Sequence, residues 1–397
     1  MEQHRENKLH IGFFGRCNVG KSTLINNLIG QDISIVSEQR GTTTDIVKKT
    51  MELYNLGAVV LIDTAGIDDE SSLGKQRVEK TLEAFSLIDL CVIVTTNNII
   101  GDYEQNLIKQ SERFSIPYII VHNKEDEEIA NSKTLAIKNL ISVSSKDETS
   151  KQRLSSFIAN QLKNKAEQKS ILDSIVSKND IVLLVTPIDS SAPKGRMILP
   201  QVKMIREVLD NNAINIVVKE TELQDTLKML QNNKPKLVIT DSQAFDYVSK
   251  IVPDDIMLTS FSILLAKEKG NFSHYIKGTP MLDKLNDGDK VLMLESCTHQ
   301  PTCEDIGRVK LPKMITKYTG KSLTFKAVAG LTNMEDRPED YKLVIQCGGC
   351  MATERQLNNR LLPFIEKNIP VSNYGLAIAY MNGIFQRSTK IFSMLEN

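Results

Sequence analysis

At 397 residues, 41% apolar and 25% charged, the chain is too long for one ordinary domain and apolar enough for about two or three cores. Lys plus Arg and Asp plus Glu balance at 49 each, which argues against nucleic acid as the main partner, because phosphate-backbone binders carry a basic excess. The polar start MEQHRENKLH and the lack of any run near ~18 apolar residues predict a cytoplasmic protein with no membrane partner. Thiols there stay reduced, so six cysteines, four of them in the last third, point to metal or redox chemistry.

The first predicted element is a short strand at 10–15, HIGFFG. GRCNVGKST follows from Gly15 to Thr23 and fits G-x-x-x-x-G-K-[ST]. Backbone N–H groups of such a loop, with Gly15 and Gly20 giving close approach, face a β-phosphate. Lys21 adds charge for the β/γ-phosphates, Ser22 offers a hydroxyl to Mg²⁺, and the helix opening at Ser22 and Thr23 aims its positive end at the same anion. Gly41-Thr-Thr-Thr-Asp45 lies between this loop and LIDTAG, where a mobile threonine completes the same metal shell. LIDTAG at 61–66 is a strand ending in Asp63, in reach of the Mg²⁺ shell, and Gly66, whose N–H meets a γ-phosphate. YIIVHNKED at 118–126 is a strand ending in Asn123, Lys124 and, two residues on, Asp126. A carboxylate there accepts from guanine N1–H and N2–H₂, which adenine lacks. Ser144, Ser145 and Lys146 close over the base. Four motifs in order, each after a strand, specify GTP and GDP rather than ATP. Lys21, Asn18, Thr43 and Gly66 are the candidate catalytic groups.

Ile67 follows DTAG where Ras-like switches place a water-orienting Gln, so catalysis needs another source. Together with Asn18 in the phosphate loop, this resembles the Era/MnmE branch of translation-factor-like GTPases. That resemblance implies K⁺ held by Asn18 in place of an arginine finger, and Thr43 as the switch Mg²⁺ ligand. The branch's GTTRD reads GTTTD here, with Thr44 in place of the arginine.

Residues 161–179 read as a connecting helix and linker. Beyond them IVLLVTPI, AINIVVKE, KPKLVIT and DIMLTS are strand-like, and runs near 199–210, 221–232 and 242–251 are helix-like. Alternation of this kind predicts a parallel sheet with helical crossovers. The loop 187–201, with Asp189, Lys194 and Arg196, is read first as a solvated connection. A small α/β unit without a site of its own suggests an assembly element, hence a homodimer.

In the last third, KVLMLESCTHQPTCED (290–305) is a strand leading to Cys297 and His299, and KLVIQCGGC (342–350) is a strand leading to Cys347 and Cys350. Ligands of open α/β sheets collect beyond the carboxyl ends of parallel strands. Two strand ends therefore predict three thiols meeting, with Gly348 and Gly349 allowing a tight turn. Spacing alone leaves tetrahedral zinc, with His299, and a [4Fe–4S] cluster both open, and a thioredoxin-like dithiol remains a third reading.

A GTPase of this branch, a small α/β unit and C-x-H…C-x-x-C together resemble the HydF family of [FeFe]-hydrogenase maturation GTPases along essentially the whole chain. The resemblance implies an α/β protein with a P-loop GTPase domain at 1–165, a small parallel α/β dimerisation domain at 179–262 and an α/β cluster-binding domain at 263–397. It implies a [4Fe–4S] cluster on Cys297, Cys347 and Cys350. It also implies a scaffold or carrier that takes a diiron precursor from radical-SAM maturases to apo-[FeFe]-hydrogenase. The family often has His directly before C-x-x-C, where this chain has Gln346, a poor iron ligand. The fourth position is therefore assigned in the order Glu304, His299, Cys303. The rival from another class is a tRNA- or ribosome-associated GTPase with a structural zinc site.

Overall fold

The computed structural model describes residues 8–30, 47–53, 56–64, 84–85, 87–131, 134, 136–163, 170–173, 175–188, 197–296, 306–330, 336–350 and 352–393. The chain divides into two compact units, Met1–Gln168 and Lys169–Asn397.

The first unit is built on six strands: β1 (Leu9–Phe14), β2 (Val47–Leu53), β3 (Gly57–Asp63), β4 (Leu90–Thr95), β5 (Tyr118–His122) and β6 (Leu140–Ser142). Their order is β2-β3-β1-β4-β5-β6, all parallel except β2, which pairs antiparallel with β3. Inner strands read as unbroken apolar runs because both sheet faces are covered; all six residues of β4 are buried. One face packs on Leu24, Ile25 and Leu28 of helix Lys21–Ile29 and on Leu154 and Ile158 of helix Glu148–Lys163; the other covers Phe14, Phe85 and Ile88. The helix at Lys21 stops at Gly30, whose φ of +68° with ψ of 163° is a conformation open to glycine and not to residues with a Cβ.

The second unit holds eight strands in two sheets of four. β7 (Ile181–Val185), β8 (Ile214–Val218), β9 (Leu237–Thr240) and β10 (Met257–Ser260) run in the order β10-β9-β7-β8. β11 (Lys290–Leu294), β12 (Thr324–Val328), β13 (Leu343–Gln346) and β14 (Val371–Asn373) run in the order β12-β11-β13-β14. Every pairing in both sheets is parallel. Read from the opposite edge, the second sheet repeats the first: fourth strand, third, first, second. Both halves share one buried apolar cluster running from Leu172 to Phe392. Helix Phe385–Ser393 helps lock them together: Ser388 O accepts from Thr259 at 3.0 Å, and Arg387 donates to the carbonyls of Val252 and Pro253 at 2.8 and 2.7 Å.

The middle strands and helices fall where alternation placed them. β12 and β14 were not picked out: β12 is half exposed and only five residues long, and β14, VSN, is three residues long, too short for a period to register.

Candidate functional site

The loop leaving β1 folds back toward its own strand. Gly20 lies at φ +90°, and a Cβ there would strike the Asn123 amide; one on Gly15 would strike the Val94 carbonyl. Lys21 is only 7% exposed, and its ammonium donates to the carbonyls of Gly15 at 2.9 Å and Arg16 at 2.8 Å. The ammonium is thus held inside a loop of the kind whose backbone is shaped to receive a phosphate. Asn18 is exposed at φ +62° on the same loop, and Thr23 is exposed in the first turn of the helix.

The Ser22 hydroxyl donates to Asp63 Oδ2 at 2.6 Å, while Asp63 Oδ1 is buried with no hydrogen-bond partner among the described residues. The two groups expected to share a cation thus already meet, with an acceptor to spare. Asn123 donates from Nδ2 to Val19 O at 2.8 Å and so braces the phosphate loop. Asp126 accepts from Ser144 Oγ and Lys146 Nζ, each at 2.7 Å, and these bonds hold its carboxyl below the usual carboxylate range. Ser145 O takes Asn27 Nδ2 at 2.6 Å. β5 and β6 are parallel neighbours, so Lys124 and Asp126 after one and Ser144 to Lys146 after the other gather at one sheet end.

Sequence reasoning passed over Glu104. It is 1% exposed, takes Arg16 of the phosphate loop on both oxygens at 2.9 and 3.2 Å, and accepts Gly101 N–H at 2.9 Å. The visible signal was G-x-x-E at a helix start, a capping pattern.

At the other site, β11 and β13 are adjacent and parallel, in register Leu294 to Gln346. Order reverses between them, so their carboxyl ends flank a crevice. Ser296 N–H donates to Cys347 Sγ at 3.2 Å, and Ser296 is the residue before Cys297. The C-x-x-C turn needs its second glycine: Gly349 sits at φ +63°, and a Cβ would meet Leu357 at 2.5 Å. Gln346 is fully buried and turned to the interior, accepting Tyr275 O–H at 2.5 Å.

Charged groups surround this turn. Lys269, 6% exposed, donates to Ala352 O at 3.2 Å and Gly349 O at 3.5 Å. Burial pulls its ammonium down to about 8, against Glu268, which holds it up. Arg360 donates to Glu295 O at 2.6 Å and Val328 O at 2.9 Å, and its Nε is buried without a hydrogen-bond partner among the described residues. Glu295, 3% exposed, pairs through Oε2 with Arg308 at 2.9 Å. None of these was singled out from sequence. Lys269 was legible, closing the buried run FSILLAKEK one turn below Leu265.

Among the described residues no three His, Cys, Asp or Glu side chains converge as a metal site. Thr43, Thr44, Gly66, Ile67, Asp189, Lys194, Arg196, Cys297, His299, Cys303 and Glu304 lie outside the described residues. The donor chemistry present fits an iron–sulfur group in part: two thiols on a glycine turn, at a crevice flanked by buried cations. Among the described residues no helix is long and apolar enough to cross a membrane.

Comparison with known proteins agrees with this architecture. A family model described as a 50S ribosome-binding GTPase matches residues 10–124, the hydrogen maturase F dimerization domain matches 171–270, and the hydrogen maturase F tetramerization domain matches 273–391. GTPase Der of Kosmotoga olearia is 33% identical over 130 residues, 31% of this chain and 29% of that protein. GTPase Der of Mesoplasma florum is 33% identical over 168 residues, 37% and 38% of the two chains. The chain thus spans about a third of the curated relatives it matches. Two solved structures resemble part of the chain only loosely. The G domain of the T. maritima FeoB iron transporter is 20% identical at TM-score 0.32, covering 39% of this chain and 98% of that one. Era with MgGDPNP and a 16S ribosomal RNA segment is 22% identical at TM-score 0.33, covering 39% and 57%. The matches over 171–391 describe assembly domains of one family and that over 10–124 a GTPase domain, the type that takes GTP or GDP with Mg²⁺; the chain belongs to the hydrogen maturase F family of hydrogenase maturation GTPases.

Proposed function

We propose that this GTPase is a scaffold and carrier that binds a [4Fe–4S] cluster on Cys297, Cys347 and Cys350 and hands a diiron precursor to apo-[FeFe]-hydrogenase. The supporting observation is the pairing of β11 with β13, which sets the Ser296 amide 3.2 Å from Cys347 Sγ, one residue short of Cys297. Radical-SAM maturases supply the cargo, and the protein acts as a homodimer through residues 179–262, with 1–165 hydrolysing GTP and 263–397 holding the cluster. When bound, the cluster supplies an iron whose fourth position, filled by Glu304, His299 or Cys303, is open to exchange. The chain's own part is to present the thiols on a fixed turn: Gly349 allows the turn, and the Ser296 N–H orients Cys347 Sγ.

At the nucleotide site, Lys21 leaves its two loop carbonyls for the phosphates, Ser22, Thr43 and Asp63 hold Mg²⁺, and the Gly66 N–H meets the γ-phosphate. Asn123 and Asp126 read guanine, with Ser144, Ser145 and Lys146 closing behind it. Asn18 holds K⁺ beside the β/γ bridge, so exchanging Na⁺ for K⁺ raises GTP turnover; an equal rate in both salts removes that role.

Anaerobic purification with metal analysis tests the central reading. The expected result is brown protein with about four irons per chain, lost in Cys297→Ala. Colourless protein with one zinc per chain would instead favour a ribosome-associated GTPase, the reading suggested by the description of the model matching 10–124.

A further inference from the structure

We propose that Glu104 is a positioning residue for GTP binding: through Arg16 it holds the phosphate loop in the shape that takes the nucleotide phosphates. The inference rests on the phosphate-loop reading above and adds to it a residue 88 positions away in sequence.

The parallel neighbours β1 and β4 end on the same side of the sheet. That sets the start of helix Asp102–Arg113, which follows β4, against the phosphate loop, which follows β1. Glu104 lies in the first turn of that helix. Its Oε1 accepts Arg16 Nε at 2.9 Å, and its Oε2 accepts Arg16 Nη2 at 3.2 Å and Gly101 N–H at 2.9 Å. The Glu104 side chain is 1% exposed and that of Arg16 39%, so the arginine reaches inward to a buried acceptor. Its guanidinium also lies 5.9 Å from the centre of the Tyr103 ring, within reach of a cation–π contact. A Cβ on Gly101 would come within 3.1 Å of Arg16 Nη2, so a larger residue there would crowd the pair.

Arg16 is held through its main chain as well. Its carbonyl accepts Lys21 Nζ at 2.8 Å, so side chain and backbone tie the loop to two different anchors. The Lys21 anchor is given up when the ammonium turns to a phosphate; the one at Glu104 stays. A bidentate arginine–carboxylate pair fixes direction as well as distance, and a loop already fixed in its bound shape binds more tightly, because ordering it no longer opposes binding. Charge alone argues the other way. A negative group beside a phosphate loop repels the ligand, so if charge were its only action, neutralising Glu104 would tighten binding. The sign of the effect therefore separates positioning from charge.

The test measures, on the full chain, KM and kcat for GTP and the inhibition constants of GDP and guanosine. Glu104→Gln keeps an acceptor for Gly101 N–H and removes the charge; Arg16→Lys keeps the charge and removes the fork. Each is expected to raise the GTP KM and the GDP constant about tenfold, the low end for loss of a charge-assisted hydrogen bond. Both kcat and guanosine inhibition should stay within about twofold of wild type, because the loss is one of phosphate binding and guanosine has no phosphate. The two changes act on one pair, so the double variant is also expected to lose about tenfold. Tighter or unchanged GTP and GDP binding in both single variants would overturn the proposal. So would an equal loss for guanosine, which marks general damage to the site, or a double-variant loss of about 100-fold, which marks independent effects. Should Glu104→Gln fail to fold, Arg16→Lys, a change at the more exposed side chain, carries the same prediction by itself. A wild-type chain that binds neither GTP nor GDP overturns the phosphate-loop reading itself.

Discussion

The phosphate loop and the thiol turn each follow the carboxyl end of a parallel strand, β1 in the first unit and β13 in the second. Both use a glycine with positive φ, Gly20 and Gly349, where a Cβ would strike a neighbour. Both place a lysine under 10% exposed against two loop carbonyls, Lys21 and Lys269. They differ in how the chain supplies the parts. Lys21 lies six residues from Gly15, so one contiguous motif carries the whole device. Lys269 lies 80 residues from Gly349, so its part in the thiol turn exists only after both sheets have packed into one unit. A local device is readable as a word; a distributed one is readable only as a fold.

That difference can be broken first at Lys21. Lys21→Met is expected to lower GTP turnover by about 10²–10³-fold, the scale for removing one fixed electrostatic donor, while iron content after reconstitution stays at the wild-type value. A parallel fall in iron would show that the two devices are not separate. Asp126→Asn comes next. It replaces an acceptor of guanine with a donor and should weaken GTP binding by about 100-fold, from the loss of a charge-assisted hydrogen bond of about 1.5–3 kcal/mol. Xanthosine triphosphate, with an oxygen where guanine has its amino group, should gain. Equal losses for both nucleotides would remove Asp126 as the base reader. Gly349→Ala is the matching change at the thiol turn. The left-handed φ and the clash with Leu357 should cost about 1–3 kcal/mol, read as a lower unfolding midpoint in urea and weaker iron retention with GTP turnover unchanged.

The same contrast explains what was legible in the sequence. Asn123, Asp126, Ser144 and Lys146 could be placed because strands β5 and β6 precede them and parallel strands end together. Cys347 could be paired in thought with the segment before Cys297 for the same reason, since β11 and β13 are both apolar runs stopped by polar residues. Arg360 carried no such mark, and Glu104 and Lys269 showed only a capping pattern and the end of an apolar helical run. A charged residue on a helix is ordinarily a solvated one, and only burial in the folded unit turns these three into braces for a loop. β12 and β14 were illegible because edge exposure in one and three-residue length in the other erase periodicity. The repeated strand order of the two four-stranded sheets left no trace in composition: β7 and β9 are followed by Thr186 and Asp241, whereas β11 and β13 are followed by Glu295 and Cys347.

The smallest expected effect concerns Gln346, the residue directly before Cys347. The side chain of Gln346 is fully buried and accepts from Tyr275 O–H at 2.5 Å, and its amide reaches Leu357 O at 3.4 Å. Tyr275 is itself 1% exposed, and burial drives its hydroxyl far above the usual phenol range, so it acts only as a neutral donor. Tyr275→Phe leaves Gln346 Oε1 buried without its donor, at a cost of about 1–3 kcal/mol, read in urea unfolding of the metal-free chain. Adding Gln346→Leu to that variant removes the stranded acceptor and should recover part of the loss, because replacing both members of a buried pair costs less than replacing one. Gln346→Leu alone should leave iron content at the wild-type value. Iron loss in that variant would make Gln346 part of the metal site instead of the core beneath it.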